Sequence, residues 1–140
     1  THGTVTHVIL GAGSCGTISG GGRYLKEQNP NIKIIGVDAA TSAYSSKNPK
    51  AYNVEGIGID VISDTFDQAV VDQIIPISDS DAFNMTRRLA TEFGYLVGIS
   101  SGAVMYVALD YCKDLSEEDV VVVILADSGK NYLSKVFIDQ

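Results

Sequence analysis

The chain has 140 residues, 45% hydrophobic and 19% charged, which suits one packed domain and argues against disorder. A formal net charge of -7, with no run of Lys and Arg, excludes the electrostatic footprint of a partner for nucleic acid or anionic lipid. The longest apolar stretch, residues 120–126, is strand-sized, so nothing reads as a membrane span. Cys15 and Cys112 are too few and too distant for a disulfide framework or a zinc site, and a reducing, cytoplasmic setting is the plain expectation.

Residues 5–10 are a short apolar run ending at glycines, the pattern of a buried strand. Residues 16–28 follow as a helix, closed by the breaker Asn29-Pro30-Asn31, and residues 32–37 form a second buried-type strand. Residues 39–62 lack periodicity and are rich in Ser, Gly and Asn, so they read as a long loop with room for one short strand. Residues 70–77 read as a strand or strand edge. Residues 79–93 give the clearest helix, with Ala82, Met85, Leu89 and Phe93 on one face. Ser78 or Ser80 stands where a cap belongs, and Gly94 where a helix end wants a left-handed residue. Residues 101–113 form the next helix, with Val104, Val107, Ala108 and Tyr111 on one stripe. A buried strand over 119–125 and a last helix over 131–138 complete the chain. The alternation predicts a three-layer α/β fold with a largely parallel sheet.

Glycines crowd the first turn: Gly11, Gly13, Gly16, Gly20, Gly21 and Gly22. Three in a row inside a helix cost about 1 kcal/mol each relative to Ala, and close approach of a ligand or a neighbouring strand is the usual compensation. The order strand, glycine loop, helix aims free backbone N–H groups and the positive helix end at one point, an anion site without basic side chains. The absence of a Gly-Lys-Ser/Thr ending excludes a Walker-type loop. A tight strand-to-helix turn without a ligand is the plainer alternative. Two ligands fit otherwise. Gly11-x-Gly13-x-x-Gly16, with Asp38 closing the next strand, matches a dinucleotide clamp. Gly13, Ser14, Cys15, Gly16 and Thr17 alternatively form a cup for one phosphate monoester.

Other segments bear on this choice. Gly13-Ser14-Cys15-Gly16-Thr17-Ile18-Ser19-Gly20 resembles the Gly-Thr-Gly-Gly-Thr-Ile-x-Gly phosphate cup of fold-type II pyridoxal phosphate (PLP) enzymes. Gly98-Ile99-Ser100-Ser101-Gly102 is similar to their pyridine-side motif. Ala126-Asp127-Ser128-Gly129-Lys130-Asn131-Tyr132-Leu133-Ser134 resembles their Pro-Asp-Ser-x-x-x-Tyr-Leu-Ser/Thr segment. The motifs occur in the family's order, so the resemblance covers essentially the whole chain. Val54-Glu55-Gly56-Ile57-Gly58-Ile59-Asp60 is most like cystathionine β-synthases, whereas Gly98 to Ala103 and Asp127-Ser128-Gly129 are at least as much like cysteine synthases.

The resemblance implies that Gly13, Ser14, Cys15, Gly16 and Thr17 bind the cofactor phosphate and that Ser100 meets the pyridine nitrogen. A hydroxyl there tolerates an unprotonated ring nitrogen, a weaker electron sink that suits β-elimination and β-replacement better than transamination. As a residue of the sequence alone, Ser100 also reads as a helix N-cap. Cys15 stands where the family has glycine, so its side chain must point away from the phosphate or the loop differs slightly. A helix N-terminus lowers thiol pKa, which makes a redox-sensitive Cys15 conceivable beside an inert packing role. Gly56, Ile57 and Gly58 would line the ring, and Asp60 either faces substrate or is a solvated acid. His2 and His7 lack partners at ligand or triad spacing, and residues 117–119 read as a solvated turn.

The family's Schiff-base lysine lies upstream of the cup, while Lys26, Lys33, Lys47, Lys50, Lys113, Lys130 and Lys135 all lie downstream. Thr1 is not Met, no signal peptide is visible, and the substrate-carboxylate loop is absent too. The expectation is therefore a C-terminal portion of a PLP-dependent catalytic core, within a homodimeric enzyme that condenses serine with homocysteine to cystathionine. A cysteine synthase using O-acetylserine and sulfide is the alternative, and an NAD-binding Rossmann domain a second. No catalytic residue and no metal site is assigned within these residues.

Overall fold

The computed structural model describes residues 1–138. Four strands form one parallel sheet: β1 (His7–Gly11), β2 (Lys33–Ala39), β3 (Gln73–Ile77) and β4 (Val121–Val123), in the order β3-β2-β1-β4. The register runs from His7 opposite Lys33 to Gly11 opposite Val37, and from His7 opposite Val121 to Ile9 opposite Val123. All four carboxyl ends therefore lie along one edge. Since β2 and β4 flank β1 on opposite sides, the order reverses at β1, and a crevice opens beside its last residue.

Helices cover both faces. Alternation along β1 sends Val8 and Leu10, with Ile34 of β2, against Ile18 of helix α1 (Gly16–Gln28). Ile9, with Ile35 and Val37, faces Ile99, Val104 and Val107 of helix α3 (Ile99–Tyr111). Helix α2 (Asp79–Phe93) lies on α3, where Gly102 lets the two backbones close: a Cβ there would sit 2.7 Å from the Thr86 nitrogen and 2.8 Å from the Ala82 carbonyl oxygen. The three-layer α/β arrangement with a parallel sheet is thus the one the alternation predicts.

Several local expectations need correction. Residues 40–72 hold no strand. The strand expected over 119–125 shrinks to Val121–Val123 and is only half-buried; among the described residues β4 pairs with β1 alone. Phe93, placed on the buried stripe of α2, is 57% exposed in the last turn of the helix, while Ala82, Met85 and Leu89 are buried. The last helix is a 3₁₀ turn, Gly129–Tyr132, followed by the single turn α4 (Leu133–Val136). Caps behave as read: Ser78 accepts from the Asp81 N–H, and Gly94 takes φ 74°. The glycine run is only partly explained by close approach. A Cβ on Gly22 would meet Val70 and Ile34 at 3.3 and 3.4 Å, whereas Gly20 and Gly21 face open space.

Candidate functional site

The crevice is built by three backbones that meet at the carboxyl end of β1. The first is the turn from Gly11 into α1. No side chain caps this helix, and Cys15 stands at its N-cap in a left-handed conformation, φ 64° and ψ 9°. The first-turn N–H groups of Gly16 and Thr17 and the positive end of the helix dipole therefore face the crevice without a built-in side-chain partner. Beyond Gly16 there is open space within 4 Å of where a Cβ would lie.

The second backbone is residues 56–58. The Gly58 N–H donates to the Ala12 carbonyl at 2.8 Å, which seats this segment on the loop. Gly56 has φ 90°, and a Cβ on it would lie 3.0 Å from Ser100 Oγ; a Cβ on Gly13 would lie 3.1 Å from the Gly56 carbonyl. The glycines at 13 and 56 are thus needed for three backbone segments to pack at one point.

The third is the start of α3. Gly98 is the N-cap, with no side-chain cap, so the helix begins at Ile99 rather than at residue 101. Ser100 consequently stands in the first turn and is not the cap that the sequence suggested. It is 6% exposed and lines the crevice. Gly98 is held against the distant Asp127-Ser128 segment: its N–H donates to the Asp127 carbonyl at 3.1 Å, and the Gly129 N–H donates to Leu96 at 3.0 Å. Tyr132 donates to Asp127 Oδ2 at 2.7 Å, and this bond together with burial pushes the phenol up to about 12. The two motifs, far apart in sequence, form one wall.

The result is a cavity of about 140 Å³, lined by Gly13, Ser14, Cys15, Thr17, Gly56 and Ser100 among others, with Ile124 and Ala126 after β4 closing one side. A cavity near this size accepts one six-membered aromatic ring. Hydroxyls at Ser14 and Thr17, uncapped N–H groups at one end and a buried hydroxyl at the other make a donor set for a phosphorylated ring. The residues present fit such a group.

A dinucleotide fits less well. Asp38, the candidate ribose ligand, is fully buried, and Ser42 donates to both its oxygens at 2.6 and 2.7 Å while Ser45 donates at 2.6 Å. Burial raises its pKa, and the serine hydroxyls work against that. A Cβ on Gly11 would lie 2.5 Å from Ile57 Cγ2, so this glycine makes room for a side chain rather than for pyrophosphate.

Residues 1–127 match the family described as pyridoxal-phosphate dependent enzyme. The chain belongs to that family. It is 44% identical over 138 residues to a cystathionine β-synthase of Apis mellifera, covering 95% of this chain and 27% of that protein. It is 40% identical over 131 residues to a cysteine synthase of Helicobacter pylori, covering 94% of this chain and 43% of that protein. The solved cysteine synthase of Entamoeba histolytica superposes with a TM-score of 0.91 at 34% identity, covering 99% of this chain and 42% of that one. The chain thus spans less than half the length of these relatives. As a member of a PLP-dependent enzyme family, it has PLP as its cofactor, and the NAD alternative is not favoured.

Cys15 is 3% exposed and packs in the core under α1. Burial pushes its thiol up, with the Tyr44 hydroxyl beside it pulling the other way, so the helix end does not yield the reactive thiolate considered above. His7 meets Thr6 Oγ1 at 2.8 Å through Nδ1 and lies edge-on to Tyr111, a structural role at the start of β1. Asp60 is exposed, and Asp119 accepts from the Ser116 N–H and hydroxyl within its turn. The sequence reading missed Tyr44 and Thr65, which donate to the Gly13 and Ser14 carbonyls. Both come from an aperiodic stretch, and the only signal was an aromatic residue amid serines. No described helix is long and apolar enough to cross a membrane.

Proposed function

We propose that these residues form the phosphate- and ring-binding portion of an enzyme of PLP-dependent β-replacement, acting on serine and homocysteine to give cystathionine and water. The observation that carries this is the convergence of an uncapped helix N-terminus, Gly56 and Ser100 on one ring-sized cavity. Bound PLP would withdraw electrons from the amino-acid carbon beside it, making its proton acidic and letting a β-substituent leave.

The chain's own residues supply position and electrostatics. Gly13, Ser14, Cys15, Gly16 and Thr17 would hold the phosphate through backbone N–H groups, with the Ser14 and Thr17 hydroxyls joining them. The α1 dipole favours the dianion there. Ser100 would meet the pyridine nitrogen with a neutral hydroxyl. Such a partner does not force protonation of the ring, and a weaker electron sink favours β-chemistry over transamination. Gly56 keeps the ring's flank free of a side chain, whereas Gly58 makes room for the Tyr52 ring, which a Cβ there would meet at 2.6 Å.

The lysine that carries the cofactor would lie outside these residues, in a preceding part of the same catalytic core, and the whole enzyme would work as a homodimer in the cytoplasm. Borohydride reduction of the complete gene product with PLP should label a lysine outside these 140 residues. Labelling of Lys26, Lys33, Lys47, Lys50, Lys113, Lys130 or Lys135 would overturn the assignment. Cysteine synthesis from O-acetylserine and sulfide is the second reading, favoured by the likeness to cysteine synthases. Assays of the complete protein with both substrate pairs separate them: turnover of only O-acetylserine and sulfide replaces the first reading by the second.

A further inference from the structure

The phosphate loop is gripped from behind at three successive carbonyls, all by one excursion of the chain between β2 and β3. The Ala12 carbonyl accepts from the Gly58 N–H at 2.8 Å, the Gly13 carbonyl from the Tyr44 hydroxyl at 3.2 Å, and the Ser14 carbonyl from the Thr65 hydroxyl. In a trans peptide the N–H of the following residue points away from the carbonyl. Tethering these carbonyls on one side therefore turns the N–H groups of Gly13, Ser14 and Cys15 to the other.

We propose that Tyr44 and Thr65 are positioning residues for cofactor phosphate, acting through the peptide planes of the loop and never touching the cofactor. The proposal rests on the PLP reading above. Cys15 explains why such a clamp is needed. A side chain at φ 64° persists only where its surroundings over-determine the backbone: here the Thr65 hydroxyl holds the peptide before Cys15, and the Ser19 N–H, donating to the Cys15 carbonyl at 3.0 Å, holds the one after it. Tyr44 is itself fixed. Its ring packs on Phe66 with centroids 4.9 Å apart, and the serines on either side, Ser42 and Ser45, are bound to the buried Asp38 carboxylate. Phe66 brings Thr65 to the same place, and the Asp67 N–H donates to Ser19 Oγ of α1 at 2.9 Å, tying the excursion to the helix that the loop opens.

The test is equilibrium binding of PLP and of pyridoxal, which lacks the phosphate, to the complete protein and to its Tyr44→Phe and Thr65→Val variants. Both substitutions keep the side-chain shape and remove a single donor, and far-ultraviolet circular dichroism and melting confirm the fold. Each variant is expected to bind PLP about 3- to 10-fold more weakly, the loss of one ordinary hydrogen bond, with pyridoxal affinity unchanged. Unchanged PLP affinity in both variants, or a parallel loss for PLP and pyridoxal, overturns the clamp. Failure of the unsubstituted protein to bind PLP is a separate result that overturns the functional reading and the clamp with it.

Discussion

Gly102→Ala tests whether the crossing of α2 and α3 sets the site. Gly102 belongs to the segment that resembles a pyridine-side motif, yet its neighbours are Thr86 and Ala82 of α2. An added Cβ would lie 2.0 Å from Thr86 Oγ1, 2.7 Å from the Thr86 nitrogen and 2.8 Å from the Ala82 carbonyl oxygen. Rotating Thr86 relieves only the first contact and gives up its bond to the Ala82 carbonyl, now 2.8 Å. The backbone contacts remain, so the helices must part. Overpacking of this kind costs about 1–3 kcal/mol, and the lost hydrogen bond adds about 1 kcal/mol. The better helix propensity of Ala offsets about 1 kcal/mol, leaving a net loss of about 2 kcal/mol. Urea unfolding of the variant, of Thr86→Ala and of the double variant measures it. The double variant should recover part of the loss, with a coupling of about 1 kcal/mol, because only the Oγ1 contact is removed. Since α3 carries Ser100, PLP affinity should fall as well. Wild-type stability in Gly102→Ala, or strict additivity in the double variant, would refute the packing argument.

Gly20→Ala should move stability the opposite way, raising it by about 1 kcal/mol in urea unfolding, since the site is an exposed helix interior with open space around it. Ser100→Ala should weaken PLP and pyridoxal alike, each about 3- to 10-fold, because Ser100 faces the ring and not the phosphate; selective loss of PLP binding would place it wrongly. Asp72 accepts from the Ile34 N–H at 2.7 Å and pairs with Lys26 at 2.8 Å. Burial pushes its carboxyl up, but the Lys26 and Ile34 bonds and the Lys26 and Lys33 charges hold it below the usual carboxylate value. A depressed folded pKa contributes stability above the unfolded value near 3.9, and that contribution is lost as pH falls through the folded pKa. Asp72→Asn should therefore cost about 1 kcal/mol at neutral pH and progressively less below about pH 4 in pH-dependent unfolding; a penalty independent of pH would contradict the ion-pair reading.

The legible parts of this chain are those where local physics and global packing agree. Helix α1 begins at Gly16 and ends at Gln28, and α2 spans Asp79–Phe93, as glycine, breaker, cap and apolar spacing predict. Strands β1 and β2, buried on both faces, announce themselves as continuous apolar runs. Strand β4 misleads because its run of valines and Ile124 has the composition of a central strand, whereas among the described residues it has a single neighbour and is half-buried. At the site, Ser100 and the loop from Gly13 to Thr17 could be named from spacing and resemblance. Their union through Gly98 against Asp127, and the carbonyl grip by Tyr44 and Thr65, could not. Those depend on where an aperiodic excursion folds back, and no periodicity records that. Asp38 shows the same limit: a strand-end acid looks like a ribose ligand until two serines from the following loop enclose it.

The central claim is that the turn into α1 receives the phosphate of PLP while the start of α3 meets its ring. An experimental structure of the complete protein crystallised with PLP tests this most directly. The account predicts phosphate oxygens about 3 Å from backbone nitrogens between Gly13 and Thr17, and the pyridine nitrogen within hydrogen-bond reach of Ser100 Oγ. A phosphate seated elsewhere, or a ring turned so that Ser100 meets no part of it, would contradict the account.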